Sequence, residues 1–541
     1  MAFLKKEKKS SGTYLRIVES YRDKSGKSNH KTVFNLGKAE DYSQKALKNM
    51  GKTFLELAGE KVDFLDKKDL RELARYNYGF IQVFSRIMQI YGIDALAAGI
   101  VKKQELNYNL YHYLLLMAVE RLNEPSSKLS NFNNQSEYIG LKPLELHNLY
   151  RSLDRLHENQ GSVQKLIYEQ GRHLFNQRLD IVFYDVTTFY FDSDKEDGFR
   201  IKGFGKDGKI GKTVIVFGLL IDKDKNPVGY RLYKGGQYEG HTFADAVRQL
   251  KKEYSIDRII TVADRGMMNR ANVNLLESEE IGYEYIIGER LKNLPQALQD
   301  KILDSSGYSV LEITDEDSGE IIEIKYNVTE HEGKRIITTY SGKRAAKDRH
   351  EREEKIARGR QYAKDPSKVE RKAASHFLKK TSKNRYELDE AKIAKSEKYD
   401  GYISISTNAK DLSEANIVEA YKQLYKIEHT FRTFKSYLET RPMFHWTQKR
   451  IEGHLCLCYI CFTLLNYLQQ RLKRNNIQMS ENQLRRSIGK MQLSLLEQNG
   501  EQFYLRSRLD ETTKKILKEL NLKELPDIIG HNAITQYISI A

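Results

Sequence analysis

Apolar and polar positions alternate along residues 12–37. Tyr14-Leu-Arg-Ile-Val-Glu-Ser-Tyr and Thr32-Val-Phe-Asn-Leu-Gly lie on either side of a polar turn at 23–27. Alternation punctuated by turn residues predicts a basic β-hairpin module over 1–40. From about 40 to 175 the period changes. Glycines become few, and runs such as 110–117 carry apolar residues as helices do, so 41–175 is expected to be a helical domain. Beyond 179, short apolar runs predict strands at 181–186, 213–221, 228–233, 259–264 and 283–287, with helices at about 242–253 and 270–278. Three strands, helix, strand, helix, strand describe a mixed α/β sheet with helices packed on it.

That order is the one of a ribonuclease-H-like domain, expected over 176–290 and again over 400–475. An insertion over 291–399 interrupts it. Residues 306–340 read as β-rich, and 341–395 as helical and highly charged. A short strand at 401–407 leads into one long helix at 413–439, for which Asp411 with Glu414 offers a capping-box start. Helices are expected at 447–475, 481–497 and 509–520, which makes 476–541 a helical C-terminal region.

Bulk properties narrow the class. A chain of 541 residues implies three or four domains, and 40% hydrophobic content excludes a disordered chain. The net charge of +16 fits a soluble protein that meets a polyanion, although charge by itself leaves a generic basic protein equally open. Residues 341–400 hold 19 Lys and Arg against 11 Asp and Glu, half of the whole surplus. Such a run is usually a solvated helical face; the sharper reading is a surface along DNA phosphates. Cys456, Cys458 and Cys461 are the only cysteines, and their apolar flanks read as a packed helix rather than a metal site. Three cysteines provide no disulfide framework and fit a reducing compartment. No apolar segment follows Lys5, Lys6, Lys8 and Lys9, so no signal peptide is expected. The run 455–467 is too short to span a bilayer. A cytoplasmic location follows as the expectation.

Two aspartates end predicted strands: Asp185 the first, Asp264 the fourth. In open α/β sheets the C-terminal strand ends line the crevice where ligands bind. Neighbouring carboxylates repel, and a cation between them keeps both ionised. Hard oxygen ligands suit Mg²⁺ or Mn²⁺. A lone aspartate at a strand end is more often a turn former or a helix cap. The predicted long helix adds a third carboxylate. Ile417, Tyr421, Leu424, Glu428, Phe431, Lys435 and Leu438 are spaced 4-3-4-3-4-3, one stripe of an α-helix. Glu428 and Lys435 interrupt an otherwise apolar stripe, and a carboxylate facing a core needs a partner. Arg432 at i+4 is the bland partner, and a metal held with the two aspartates is the sharper one. Lys435 lies about 10 Å further along the axis, within reach of a phosphate beside such a metal. Solvent is its bland destination.

These motifs resemble the DDE transposases of bacterial insertion sequences, in the group with a Tyr-x2-Arg-x3-Glu-x6-Lys signature and a long β-rich insertion before the glutamate. The resemblance rests on Tyr184-Asp-Val-Thr-Thr-Phe-Tyr-Phe, Val262-Ala-Asp-Arg-Gly-Met, the stretch from Tyr421 to Lys435 and Arg441-Pro-Met-Phe-His. It covers roughly 175–470. It implies that Asp185, Asp264 and Glu428 form the catalytic triad and hold two Mg²⁺ ions, with Mn²⁺ as a substitute. It implies DNA contacts at Tyr421, Lys435, Arg432, Arg265 and Trp446, with His445 and Trp446 as candidates for stacking on bases. Leu424 stands where the signature has arginine; Lys426 and Arg432 lie on other faces of the helix. The implied activity is cut-and-paste cleavage and strand transfer at terminal inverted repeats. The implied partners are those repeats, target DNA and a second copy of the chain. A ribonuclease-H-like nuclease and a domesticated, non-catalytic DNA-binding protein are the alternatives.

Overall fold

A computed structural model describes residues 2–59, 70–175, 181–203, 211–237, 239–254, 259–264, 269–314, 321–364, 376–382 and 385–538. The chain divides into two compact units, residues 1–72 with 496–502, and residues 73–495 with 503–541.

In the first unit β1 (Ala2–Lys9), β2 (Gly12–Arg22) and β3 (Ser28–Lys38) form an antiparallel sheet in that order, followed by α1 (Gln44–Leu57). The β2–β3 turn is fixed by Asp23, whose Oδ1 accepts the N–H groups of Ser25 and Lys27. Gly26, at φ +81, supplies the left-handed residue of the turn. The expected hairpin is therefore a three-stranded sheet. The extra strand, Ala-Phe-Leu-Lys-Lys-Glu-Lys-Lys, hides its β character behind lysines, as edge strands do.

The second unit begins within β4 (Arg71–Asn77) and continues into a helical layer. That layer comprises α2 (Gly79–Ile90), α3 (Ile93–Lys103), α4 (Leu110–Asn123), α5 (Lys128–Asn134), α6 (Leu146–Glu158) and α7 (Gln160–Phe175). Next come β5 (Ile181–Tyr190), β6 (Ile201–Lys202), β7 (Thr213–Asp222), β8 (Pro227–Lys234), α8 (Glu239–Tyr254), β9 (Ile260–Ala263), α9 (Arg270–Glu277) and β10 (Glu284–Glu289). The order predicted for 181–287 is thus observed, with the two-residue β6 added.

The segment 291–399 holds α10 (Gln296–Leu303), β11 (Ser309–Thr314), β12 (Ile321–His331), β13 (Lys334–Tyr340), α11 (Gly342–Lys364), β14 (Leu378–Ser382), β15 (Arg385–Leu388) and α12 (Glu390–Glu397). Its charged part is not wholly helical, because β14 and β15 pair as a hairpin. After β16 (Tyr402–Thr407) one sheet runs β11-β12-β13-β16-β10-β9-β5-β7-β6, with β8 also on β7. Strands β11, β12 and β13 of the insertion therefore extend the same sheet, whereas β14 and β15 form a sheet of their own. Each face of that sheet buries its own core. Phe183, Phe189, Phe217 and Val262 point to one side, and Val182, Tyr184, Val186 and Ala263 to the other, where Phe243 and Val247 of α8 cover them. This is the period-2 division of a strand between two faces.

The expected helix at 413–439 is broken. Residues α13 (Glu414–Lys422) and α14 (Tyr425–Arg432) are separate, and a π-helical turn spans Thr433–Tyr437. At the break the backbone tightens to i→i−3 bonds, Leu424 N–H to Tyr421 O and Ile427 N–H to Leu424 O. It then widens, with Leu438 N–H reaching Thr433 O at 2.9 Å. Such mid-helix changes cluster at functional sites. The cap is also not the expected one: Ser413, rather than Asp411, accepts the Asn416 N–H.

The helix α15 (Gln448–Arg474) runs through the core, with residues 451–468 buried throughout. It is long and apolar enough to cross a membrane, but its apolar stretch is wholly enclosed by protein. A helix apolar on every side is what a position inside a helical layer requires. All three cysteines lie on it, buried as expected, and burial pushes the Cys456 thiol up to about 12. After α16 (Glu481–Gly489) the expected helical region gives way to β17 (Gln492–Gln498) and β18 (Glu501–Arg506), followed by α17 (Glu511–Glu519) and β19 (Ile528–Gly530). Leu493 and Leu495 are buried at period two, and Asn499-Gly500, both at positive φ, forms the tight turn. Asn-Gly between two alternating runs is a strong hairpin signal, and it corrects the helix expected at 481–497.

Candidate active site

Strands β5 and β9 are parallel, with Ile181 beside Ile260, Val182 beside Thr261 and Phe183 beside Val262. Asp185 lies two residues past Phe183, and Asp264 two past Val262. The two aspartates therefore occupy equivalent positions on adjacent strands, which lie about 4.8 Å apart. Being two residues on, each carboxylate leaves the same sheet face as its neighbour, the face of Phe183 and Val262. Asp185 is partly exposed and Asp264 exposed. An Oδ1 of Asp185 accepts the N–H of Val186 at 2.7 Å.

That face is covered by the helices of the third carboxylate. Phe431 and Phe434 meet Phe217 of β7 at ring distances of 6.3 and 5.2 Å, and Ile427 joins the same core. Glu428 follows Ile427 but is itself exposed. Among the described residues it forms no ion pair, so the bland pairing with Arg432, also exposed, is not what the structure places there. Among the described residues no three His, Cys, Asp or Glu side chains stand close enough to hold a metal ion. The structure thus sets two aspartates in register and packs the helix of Glu428 on the face from which they project.

The remaining sequence candidates separate. Tyr421, partly buried, lines with Asp264 a cleft of about 770 Å³ walled by the end of β10, α11 and α12. Lys435 is partly buried in the π-helical turn. Leu424, at the signature's arginine position, sits at the helix break and packs against the core. Lys426 is buried and donates to the Lys223 carbonyl at 2.8 Å, which removes it as a substitute for that arginine. Arg265 lies outside the described residues. Trp446 is exposed, whereas His445 packs its ring 4.8 Å from His454. Burial, then Lys128 and Arg121, pushes His445 down to about 3.

Arg290 and Lys292 line the same cleft as Asp264 and were not singled out from the sequence. Arg290 directly follows β10, so the rule that led to the aspartates, inspection of strand ends, also reaches it. Asp222 at the end of β7 meets that rule without belonging to the site. Burial raises it to about 6, and its oxygens accept from Asn226 side-chain and backbone N–H groups, which makes it a turn former.

A family model described as the transposase DDE domain matches residues 176–464, and one described as the N-terminal domain of IS1634 family transposases matches 4–60. The chain belongs to the DDE transposases, and it is an insertion-sequence DNA transposase. Its mixed α/β sheet fits the ribonuclease-H-like fold of such enzymes. Among solved structures it is similar to a piggyBac transposase synaptic complex with hairpin DNA, with 10% identity and a TM-score of 0.37, covering 76% of this chain and 78% of that one. It is also similar to a Mos1 transposase paired-end complex, with 16% identity and a TM-score of 0.15, covering 36% of this chain and 57% of that one. No curated protein matches the chain. Enzymes with this domain use divalent metal ions and act on DNA.

Proposed function

We propose that Asp185, Asp264 and Glu428 are the acidic triad of this transposase and hold Mg²⁺, with Mn²⁺ as a substitute. The observation that carries the reading is the register. Two carboxylates sit at equivalent positions of adjacent parallel strands, on the sheet face that the Glu428 helix covers. Their donor set is all hard oxygen, which suits those ions. Held by these carboxylates, divalent ions would supply Lewis-acid activation of water or a DNA 3′-OH and charge stabilisation at the leaving oxygen. The chain's own part is to present anionic oxygens from rigid strands and one helix, so that the scissile phosphate meets a fixed geometry. Tyr421, Lys435, Arg432 and Arg265 hold the DNA beside the triad. Residues 41–175 read the ends of the element, and the insertion 291–399 flanks the cleft. The reaction is cut-and-paste cleavage and strand transfer at terminal inverted repeats, carried out by a homodimer or larger assembly in the bacterial cytoplasm, at the nucleoid when bound.

The test is cleavage of a labelled duplex carrying the inverted repeat, with Mg²⁺, by the native chain and by Asp185→Asn and Glu428→Gln. Both variants should keep duplex binding and lose cleavage by at least roughly 100-fold, the scale of removing one group that stabilises transition-state charge. Cleavage that survives either substitution would remove that residue from the triad.

A further inference from the structure

The three-stranded sheet of the first unit has two unlike faces, and its register fixes which side chains share each one. Leu4 of β1, Ile17 of β2 and Phe34 of β3 are direct cross-strand partners, so they form one row across the sheet. On the same face Lys6 pairs with Leu15 on one side of the row, and Glu19 pairs with Ala2 and Lys31 on the other. The opposite face carries Phe3, Tyr14, Val18, Ser20 and His30. That face covers itself. Val18 is buried, the Phe3 ring stands edge-on to His30 at 5.3 Å, and Lys9 and Lys38 lie over the Tyr14 ring at 5.5 and 5.9 Å. The apolar row has no such cover: Leu4 and Phe34 are each 58% exposed. Helix α1 buries none of its own residues and so is not a lid for it.

An apolar centre with charges toward the rim is the anatomy of a protein interface. The charges select a second copy of the chain and orient it. A two-fold axis laid along the row, between two such sheets, sets Leu4, Ile17 and Phe34 each on its own counterpart. Residues two positions to one side of the row then face residues two positions to the other side. Glu19 comes over the partner's Leu15, beside the partner's Lys6, and Lys31 comes over the partner's Gly37. Opposite charges approach at two symmetric places, and no like charges meet. A two-fold axis along the strands would instead set Glu19 on its own counterpart. The area suffices as well. Strands β2 and β3 are 11 residues long. At about 3.3 Å per residue and about 4.8 Å between strands, the face covers about 500 Å². Two copies together bury about 1,000 Å², the size at which specific interfaces begin.

We propose that the face of Leu4, Ile17 and Phe34 is a homodimer interface, formed sheet to sheet about a two-fold axis along that row. It gives the homodimer of the transposase reading a surface, but it stands on the sheet alone, without the triad or DNA.

The mass of the full-length protein is measured by light scattering over a range of concentrations, without DNA, for the native chain, Leu4→Glu and Phe34→Glu. Both side chains are more than half exposed, so the variants should melt as the native chain does. The native chain is expected to be a dimer. Each substitution counts twice about the axis and should weaken that dimer by roughly 30-fold or more. A second measurement treats Leu4→Cys and Ser20→Cys separately with a short bismaleimide, since the native cysteines are all buried. Leu4→Cys should join two chains, and Ser20→Cys, on the opposite face, should not. A monomeric native chain, a dimer that persists in both glutamate variants, or a failure of Leu4→Cys to cross-link overturns the interface. If the native chain still cleaves inverted-repeat duplex in those cases, the transposase reading stands without it.

Discussion

A methyl group at position 453 decides whether two core helices can touch. A Cβ on Gly453 of α15 would stand 2.0 Å from the Leu153 carbonyl oxygen of α6, and 2.7 Å from its carbon. Both are backbone atoms of a buried helix, so neither can swing aside. Overpacking a core costs about 1–3 kcal/mol. Gly453→Ala is expected to lower the urea midpoint accordingly, with the denaturant slope unchanged. A midpoint equal to the native one would show that the helices separate without penalty. The catalytic candidates were more legible at this scale than this packing. Asp264 directly follows β9, as its apolar run predicts, but Asp185 does not end its strand: β5 continues five residues past it to Tyr190, through a second run of buried residues that the first apolar run does not announce. Glu428 interrupts an apolar stripe. Arg200 beside Trp446, and Gly453 against Leu153, join segments hundreds of residues apart, and no local pattern encodes such pairs.

At the scale of elements, the central sheet is legible in short apolar runs, and the element order from β5 to β10 is the predicted one with the two-residue β6 added. The errors lie where local pattern and tertiary setting disagree. Lysines masked the edge strand β1, a Leu-rich strand at 492–498 imitated a helix, and the predicted helix at 413–439 tightens and then widens its backbone bonds around Glu428. The insertion also does more than interrupt the domain. Strand β13 pairs with β16 along Arg335–Tyr340, and β16 in turn pairs with β10. Removing 306–340 would strip the neighbour from β16 and leave a bare edge two strands from Asp264. Bare edges template aggregation. A chain lacking 306–340 is therefore expected to be insoluble or to lose its cooperative melt. A soluble, cooperatively melting deletion would mean that the insertion strands are an appendage.

For the molecule as a whole, a buried polar cluster connects the helical layer to the chain that carries Glu428. Arg121 donates to the Leu438 carbonyl at 3.2 Å, and the Tyr437 hydroxyl donates to the Leu122 carbonyl at 2.8 Å. Beside them Glu120 accepts from Tyr138 at 2.7 Å and from Asn131 and Asn134 at 3.1 Å. Lys128, 3% exposed, donates to Asn131 at 2.9 Å. Its surroundings include Arg121, Glu120, Cys458 and Cys461. Burial first, and then the Arg121 charge, pushes Lys128 from its ordinary 10.5 down to about 7. Between those two values the unfolded chain binds more protons than the folded one, so this group makes stability rise with pH across that window. Below pH 7 both states are protonated, and the penalty of a buried cation is constant. Lys128→Met removes the cation while keeping an unbranched chain of similar length. The variant should be more stable than the native protein at pH 7. Its advantage should shrink by at most about 1.4 kcal/mol per pH unit as pH rises toward 10. Urea denaturation of both proteins at pH 7, 8.5 and 10 measures this. An advantage that stays constant or grows with pH would mean that Lys128 is charged throughout in the folded protein. The cluster that holds the end of the Glu428 helix would then be an ionic network rather than a neutral one.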